Sequence, residues 1–148
     1  MNIVQVSEKT IVGLGARTNN KDEMNPGTGK IGPLVHQFDA NVQVDYRGGA
    51  RVYSVYHEYE SDVSGNYSVL VGADKVDSSS VELIEVKIQE GNYLVFTAQG
   101  QVPHIVIETW GKIWTYFASP NCSHTRAYLT DFEFYKSQNE IEIYIGIK

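Results

Sequence analysis

The stretch that decides the fold is Asn92-Tyr93-Leu94-Val95-Phe96-Thr97-Ala98-Gln99, followed by Pro103 to Ala118, Arg126 to Tyr135 and Glu140 to Lys148. Along it the hydrophobic period switches from two to about 3.6 and back to two. It reads as strand, helix, strand, strand, with a turn at Ser137-Gln138-Asn139. Pro103 suits the first turn of the helix, where its missing N–H would be unpaired anyway. Ser119-Pro120-Asn121 then stops that helix.

Working outward, the first half has the same order. Thr10 to Arg17 reads as a strand, and Thr18 to Gly29 as a Gly- and Asn-rich loop. Ile31, Leu34, Val35 and Phe38 then fall at helical spacing, with Pro33 forcing either a start near Ile31 or a kink. Strands Arg51 to Glu60 and Asn66 to Ala73 follow, joined across Ser64-Gly65-Asn66. Between the halves, Asp77-Ser78-Ser79-Ser80 reads as a polar connector, and the alternating Leu83 to Ile88 adds a strand leading into the second unit. Phe38 matches Phe117 at an offset of 79, and Glu58 matches Glu133 at 75.

Neither unit can bury its helix and sheet faces alone. The expectation is therefore an α+β fold: a duplicated strand-helix-strand-strand unit forming one antiparallel-rich sheet with two helices on one face. The pseudo-repeats span about 8–75 and 83–148 of a single domain covering 1–148.

With 148 residues, such a domain buries roughly two thirds of its unfolded surface without staples. The lone Cys122 cannot form an internal bridge, which fits a reduced, cytoplasmic setting. The start Met1-Asn2-Ile3-Val4-Gln5-Val6 lacks a basic region followed by an apolar stretch, and no apolar run approaches the roughly 20 residues of a membrane helix. Neither export nor a membrane partner is expected. Eighteen acidic against twelve basic residues give a net charge of -6, and the basic residues are scattered, which argues against direct nucleic-acid contact. His36, His57, His104 and His124 have no paired spacing for a metal, and no cofactor is implied.

The functional clue is Asp131-Phe132-Glu133-Phe134-Tyr135, a carboxylate among aromatic rings. Burying an ionised carboxylate there costs several kcal/mol unless a cationic or hydrogen-bonding partner compensates it. Trp110 and Trp114, four apart on one helical face, suit either core packing or a cation platform. Tyr56 and Tyr135 suit either cross-strand pairing or a pocket wall, and Glu58 either solvent or ligand.

Four stretches together resemble the effector-binding domains of the gyrase-inhibitor-like superfamily, which also occur fused to DNA-binding regions in AraC-type regulators. They are Lys21 to Pro26 leading into Lys30 to Leu34; Val52 to Tyr56 with Tyr59 to Asp62; Gly91 to Phe96; and Trp110 to Trp114 with Asp131 to Tyr135. The resemblance implies the duplicated unit and a groove between the halves that takes bulky, often cationic or aromatic molecules. It also implies a glutamate at the position of Glu133. The chain departs from the pattern in having no helix-turn-helix segment and no tryptophan within Leu34 to Phe38.

Two readings follow. In the first, the chain is a binding module for a lipophilic or cationic small molecule, with Glu133, Trp110, Trp114, Tyr56, Tyr135, Phe38 and Glu58 as ligand-facing candidates. A separate regulatory protein partner stays open in this reading. In the second, it is a hydrolase of a small strained or electrophilic compound, with Glu133 as general acid or base. No serine, cysteine or histidine nucleophile arrangement supports the second.

Overall fold

A computed structural model describes residues 2–148. In chain order its elements are β1 (Asn2–Val6), β2 (Lys9–Thr18), α1 (Asn20–Glu23), α2 (Ile31–Asn41), β3 (Val42–Val44), β4 (Val52–His57) and β5 (Tyr67–Ala73). They continue with β6 (Val76–Ser79), β7 (Ile84–Ile88), β8 (Gly91–Gln99), α3 (His104–Ala118), β9 (Arg126–Ser137) and β10 (Glu140–Ile147). Eight strands form one antiparallel sheet in the order β1-β8-β10-β9-β4-β5-β2-β7. The two strand-helix-strand-strand units are β2-α2-β4-β5 and β8-α3-β9-β10, and they meet where β4 pairs with β9.

The strand that precedes each unit crosses to the other half. β1 precedes β2 but pairs with β8, and β7 precedes β8 but pairs with β2. Only Ser7 and Glu8 separate β1 from β2, and only Gln89 and Glu90 separate β7 from β8. Three Cα steps span at most about 11 Å, whereas six strand spacings in a flat sheet cover about 29 Å. The sheet must therefore curl until its edges approach. Gln89 N–H reaches Thr130 Oγ1 at 3.1 Å, and the Tyr93 hydroxyl lies 2.6 Å from the same oxygen, so this linker rests against β9. Curling is easiest where side chains are absent. At Gly13, paired with Gly72, an added Cβ would stand 2.0 Å from the Val71 carbonyl oxygen.

Ile11, Tyr53, Val55, Leu70, Ile88, Tyr93 and Phe132 fill the inside of the curl. Both helices pack on the opposite face. α2 buries Leu34 and Phe38 against Tyr56, Val69, Val71 and Ala73, while α3 buries Ile105 and Ile113 against Ile141, Ile143 and Ile145. Trp110 touches both clusters and so sits at the seam between the halves.

Several local expectations need correction. Asp77 to Ser79 is not a connector but lies in β6, which pairs with β3; its serines hide the apolar Val76 opposite Val44. The Thr18 to Gly29 loop contains α1, capped when the Asn19 side chain accepts the Asp22 N–H. From the end of α1, the Glu23 carboxylate accepts the N–H groups of Lys30 and Ile31 at 2.7 and 3.1 Å. It thereby caps α2 across the loop, where its charge also suits the helix dipole. Pro33 is tolerated because α2 begins at Ile31 and places it in the first turn. β4 ends at His57 instead of Glu60 because Glu58 takes a left-handed backbone, φ 51°. Pro103 stands just before α3 and not in its first turn.

Candidate functional site

Strand alternation on β9 sends Asp131, Glu133 and Tyr135 to the helix side, opposite Tyr56, Ser54 and Val52 of β4. Glu133 is 2 % exposed, yet all its close partners are neutral. The Tyr56 hydroxyl and the Trp110 indole N–H each donate to Oε2 at 2.7 Å, and the Tyr135 hydroxyl donates to Oε1 at 2.6 Å. Among the described residues, the ion pairs within 4.0 Å do not include Glu133. Burial, and then the negative charge of Glu133, push the phenols of Tyr56 and Tyr135 well above their ordinary range. Both therefore stay protonated and act as donors at neutral pH.

Two residues along the same strand the solution is different. Asp131 is fully buried and accepts the Arg126 Nη2 hydrogen at 2.7 Å, the Gly146 N–H at 2.8 Å and the Tyr59 hydroxyl. Arg126 is itself 7 % exposed, and its guanidinium carbon lies 4.4 Å from the Tyr128 ring centroid, 5.9 Å from Tyr59 and 6.0 Å from Phe117. Its Nε has no hydrogen-bond partner among the described residues. Burial disfavours the guanidinium charge, but Asp131 with the phenols of Tyr59 and Tyr128 outweighs it and raises the Arg126 pKa.

A continuous file of rings joins the two carboxylates. Trp114 and Trp110 are 6.1 Å apart, Trp110 and Tyr56 5.3 Å, Tyr56 and Tyr67 5.6 Å, Tyr67 and Tyr59 5.9 Å, and Tyr59 and Tyr128 5.4 Å. Tilted and edge-on contacts of this kind favour aromatic pairs beyond simple burial.

Of the candidates named from sequence, Glu133, Tyr56, Trp110 and Tyr135 are joined by hydrogen bonds, and the partly buried Trp114 lies beside Trp110. Phe38 is buried beneath α2 in the same cluster as Tyr56. Glu58 lies elsewhere: it is exposed just beyond β4, where its carboxylate accepts from Ser68 Oγ at 3.2 Å and its carbonyl from Arg17. Ser54, not Glu58, stands across from Glu133. Sequence reasoning missed Asp131 as a site residue, with Arg126, Tyr59, Tyr67 and Tyr128. Alternation from Glu133 was a sufficient signal for Asp131; nothing in the sequence pointed to Arg126.

Inside the curl a cavity of about 360 Å³ is walled by Tyr53, Phe132, Phe134 and Tyr144, with Lys9 and Glu8 at its rim. The Glu133 cluster does not border it. Among the described residues no helix is long and apolar enough to cross a membrane.

Residues 2–147 match the family model described as Cass2, integron-associated effector binding protein. An integron cassette protein from the mobile metagenome of Vibrio cholerae has a similar structure, with a TM-score of 0.87 and 39% identity over 99% of this chain and 95% of that one. The Bacillus subtilis (strain 168) protein YobU, whose name proposes a transcriptional regulator, is 30% identical over 99% of this chain and 96% of its own length. SAV2435, solved bound to tetraphenylphosphonium, shares the fold with a TM-score of 0.64 and 18% identity over 99% of this chain and 93% of that one.

Proposed function

The chain belongs to the family of integron-associated effector-binding proteins, and from that premise we propose that it binds a lipophilic, aromatic cation against Glu133. Family membership makes it a small-molecule binding module. The observation that carries the finer reading is a carboxylate 2 % exposed, held by three neutral donors and, among the described residues, by no cation. Three such bonds offset much of the desolvation cost, since a hydrogen bond to a charged group contributes about 1.5 to 3 kcal/mol. They leave the charge itself uncompensated. An organic cation seated on the Trp110 and Trp114 faces would supply the missing charge, with cation–π attraction of about 0.5 to 2 kcal/mol per ring.

The cluster is closed in this conformation, so entry requires Trp110 to turn away from Glu133, leaving Tyr56 and Tyr135 as donors. Trp110 is the member of the cage at the seam between the two helix-side clusters, and like Trp114 it is only partly buried. The fold-related protein bound to tetraphenylphosphonium supports the same ligand class by analogy. Hydrolysis gains no comparable support: the three groups that hold Glu133 are two protonated phenols and an indole, none of which is a nucleophile or a base at neutral pH.

Trp110 and Trp114 are the chain's two tryptophans, so indole fluorescence reports directly on this site. Titration with N-methyl-4-phenylpyridinium should quench that emission saturably, whereas its neutral parent 4-phenylpyridine should do so only at concentrations at least tenfold higher. Equal potency for the two would remove the charge from the reading.

A further inference from the structure

We propose that Arg126 sets how much positive charge the Glu133 site accepts, by occupying a second cation station at Asp131 so that a ligand finds room for one charge, at Glu133. The inference rests on the reading of Glu133 given above. Asp131 and Glu133 face the same side of β9 two residues apart, a separation of about 7 Å by strand geometry. The ring file from Trp114 to Tyr128 passes both carboxylates. What separates the two stations is the guanidinium. At Asp131 a cation already sits among Tyr128, Tyr59 and Phe117, in surroundings of the same kind as those the rings offer an organic cation at Glu133.

Arg126 is held there by its charge and by the rings more than by directed bonds. One contact, Nη2 to Oδ2 at 2.7 Å, joins it to Asp131, and Asp131 Oδ1 is taken by Gly146. A forked pair would use both oxygens. The residue therefore behaves as a tethered ligand. Its charge repels the distal half of a dication, and it blocks the carboxylate that such a charge would seek. Two unit charges about 7 Å apart at an effective dielectric near 20 change an equilibrium by about fiftyfold. Removing Arg126 should favour both cation classes, and the doubly charged one more.

The test pairs N-methyl-4-phenylpyridinium with N,N′-dimethyl-4,4′-bipyridinium, a biaryl of the same shape carrying a charge at each end. Wild type should bind the dication no more tightly than the monocation. In Arg126→Gln the ratio should shift toward the dication by ten- to fiftyfold. The double variant Arg126→Gln with Asp131→Asn, which removes both charges, should return the ratio to the wild-type value. If Arg126→Gln is unfolded alone, the ligand concentration that restores its thermal transition reads the same preference. An unchanged ratio in Arg126→Gln would overturn the proposal, as would a shift that persists in the double variant. Failure of the underlying reading looks different: wild type would then not bind the monocation, or Glu133→Gln would bind it as tightly, and both ideas would fall together.

Discussion

Asp131 and Glu133 are neighbours on one face of one strand, both almost wholly removed from water, and the protein treats them differently. Asp131 has an internal cation, a backbone N–H and a phenol. Glu133 has three neutral donors. Removing one partner from a buried ion pair strands a charge, whereas removing the charge from a neutral cage strands nothing. The first arrangement is organised for the folded state. The second is the arrangement that the proposed cation site rests on.

The largest effect that would break this contrast is on stability. Arg126→Ala leaves Asp131 buried and unpaired and should cost about 3 to 5 kcal/mol, a fall in Tm of roughly 10 °C for a chain of this size. Glu133→Gln should cost under about 1 kcal/mol. Its amide oxygen can accept from Tyr56 and Trp110, while its NH2 donates to the Tyr135 hydroxyl, which can also accept. Comparable losses in denaturant unfolding would mean that the two carboxylates are both structural.

How much of the contrast was legible beforehand depended on how local its causes are. Glu133 stood out because its immediate neighbours are aromatic, and the duplicated unit showed itself through the period switch from Asn92 to Lys148. The crossing of β1 and β7 to opposite edges was invisible, because a strand's partner is set by tertiary closure and not by its own alternation. Glu58 misled for a related reason. Its offset of 75 from Glu133 suggested equivalence, but a left-handed backbone ends β4 before it and turns it to solvent. Arg126 gave no signal because its meaning comes from rings contributed by β9, α3 and the loop after β4, and only folding brings them together.

A smaller effect sharpens the Glu133 side. Tyr56→Phe removes one donor from the carboxylate and should cost about 1 to 2 kcal/mol at neutral pH. The variant should also be less sensitive to alkali. Because burial raises the Tyr56 pKa in the folded state, the unfolded chain loses this proton first, near pH 10, so stability is intact below that pH and falls above it. Tyr56→Phe should flatten that alkaline decline in denaturant titrations between pH 8 and about 11. A decline as steep as that of wild type would show that Tyr56 is not held protonated by its surroundings.

The most direct test of the central claim is calorimetric titration of wild type and Glu133→Gln with N-methyl-4-phenylpyridinium and neutral 4-phenylpyridine at pH 8. The variant keeps the shape of the cage and removes only its charge. Affinity for the cation should drop by about 2 to 3 kcal/mol, roughly 30- to 150-fold, while the neutral compound should change by less than about threefold. Equal losses for both compounds, or no loss for the cation, would contradict the assignment of Glu133 as the charge-recognising residue.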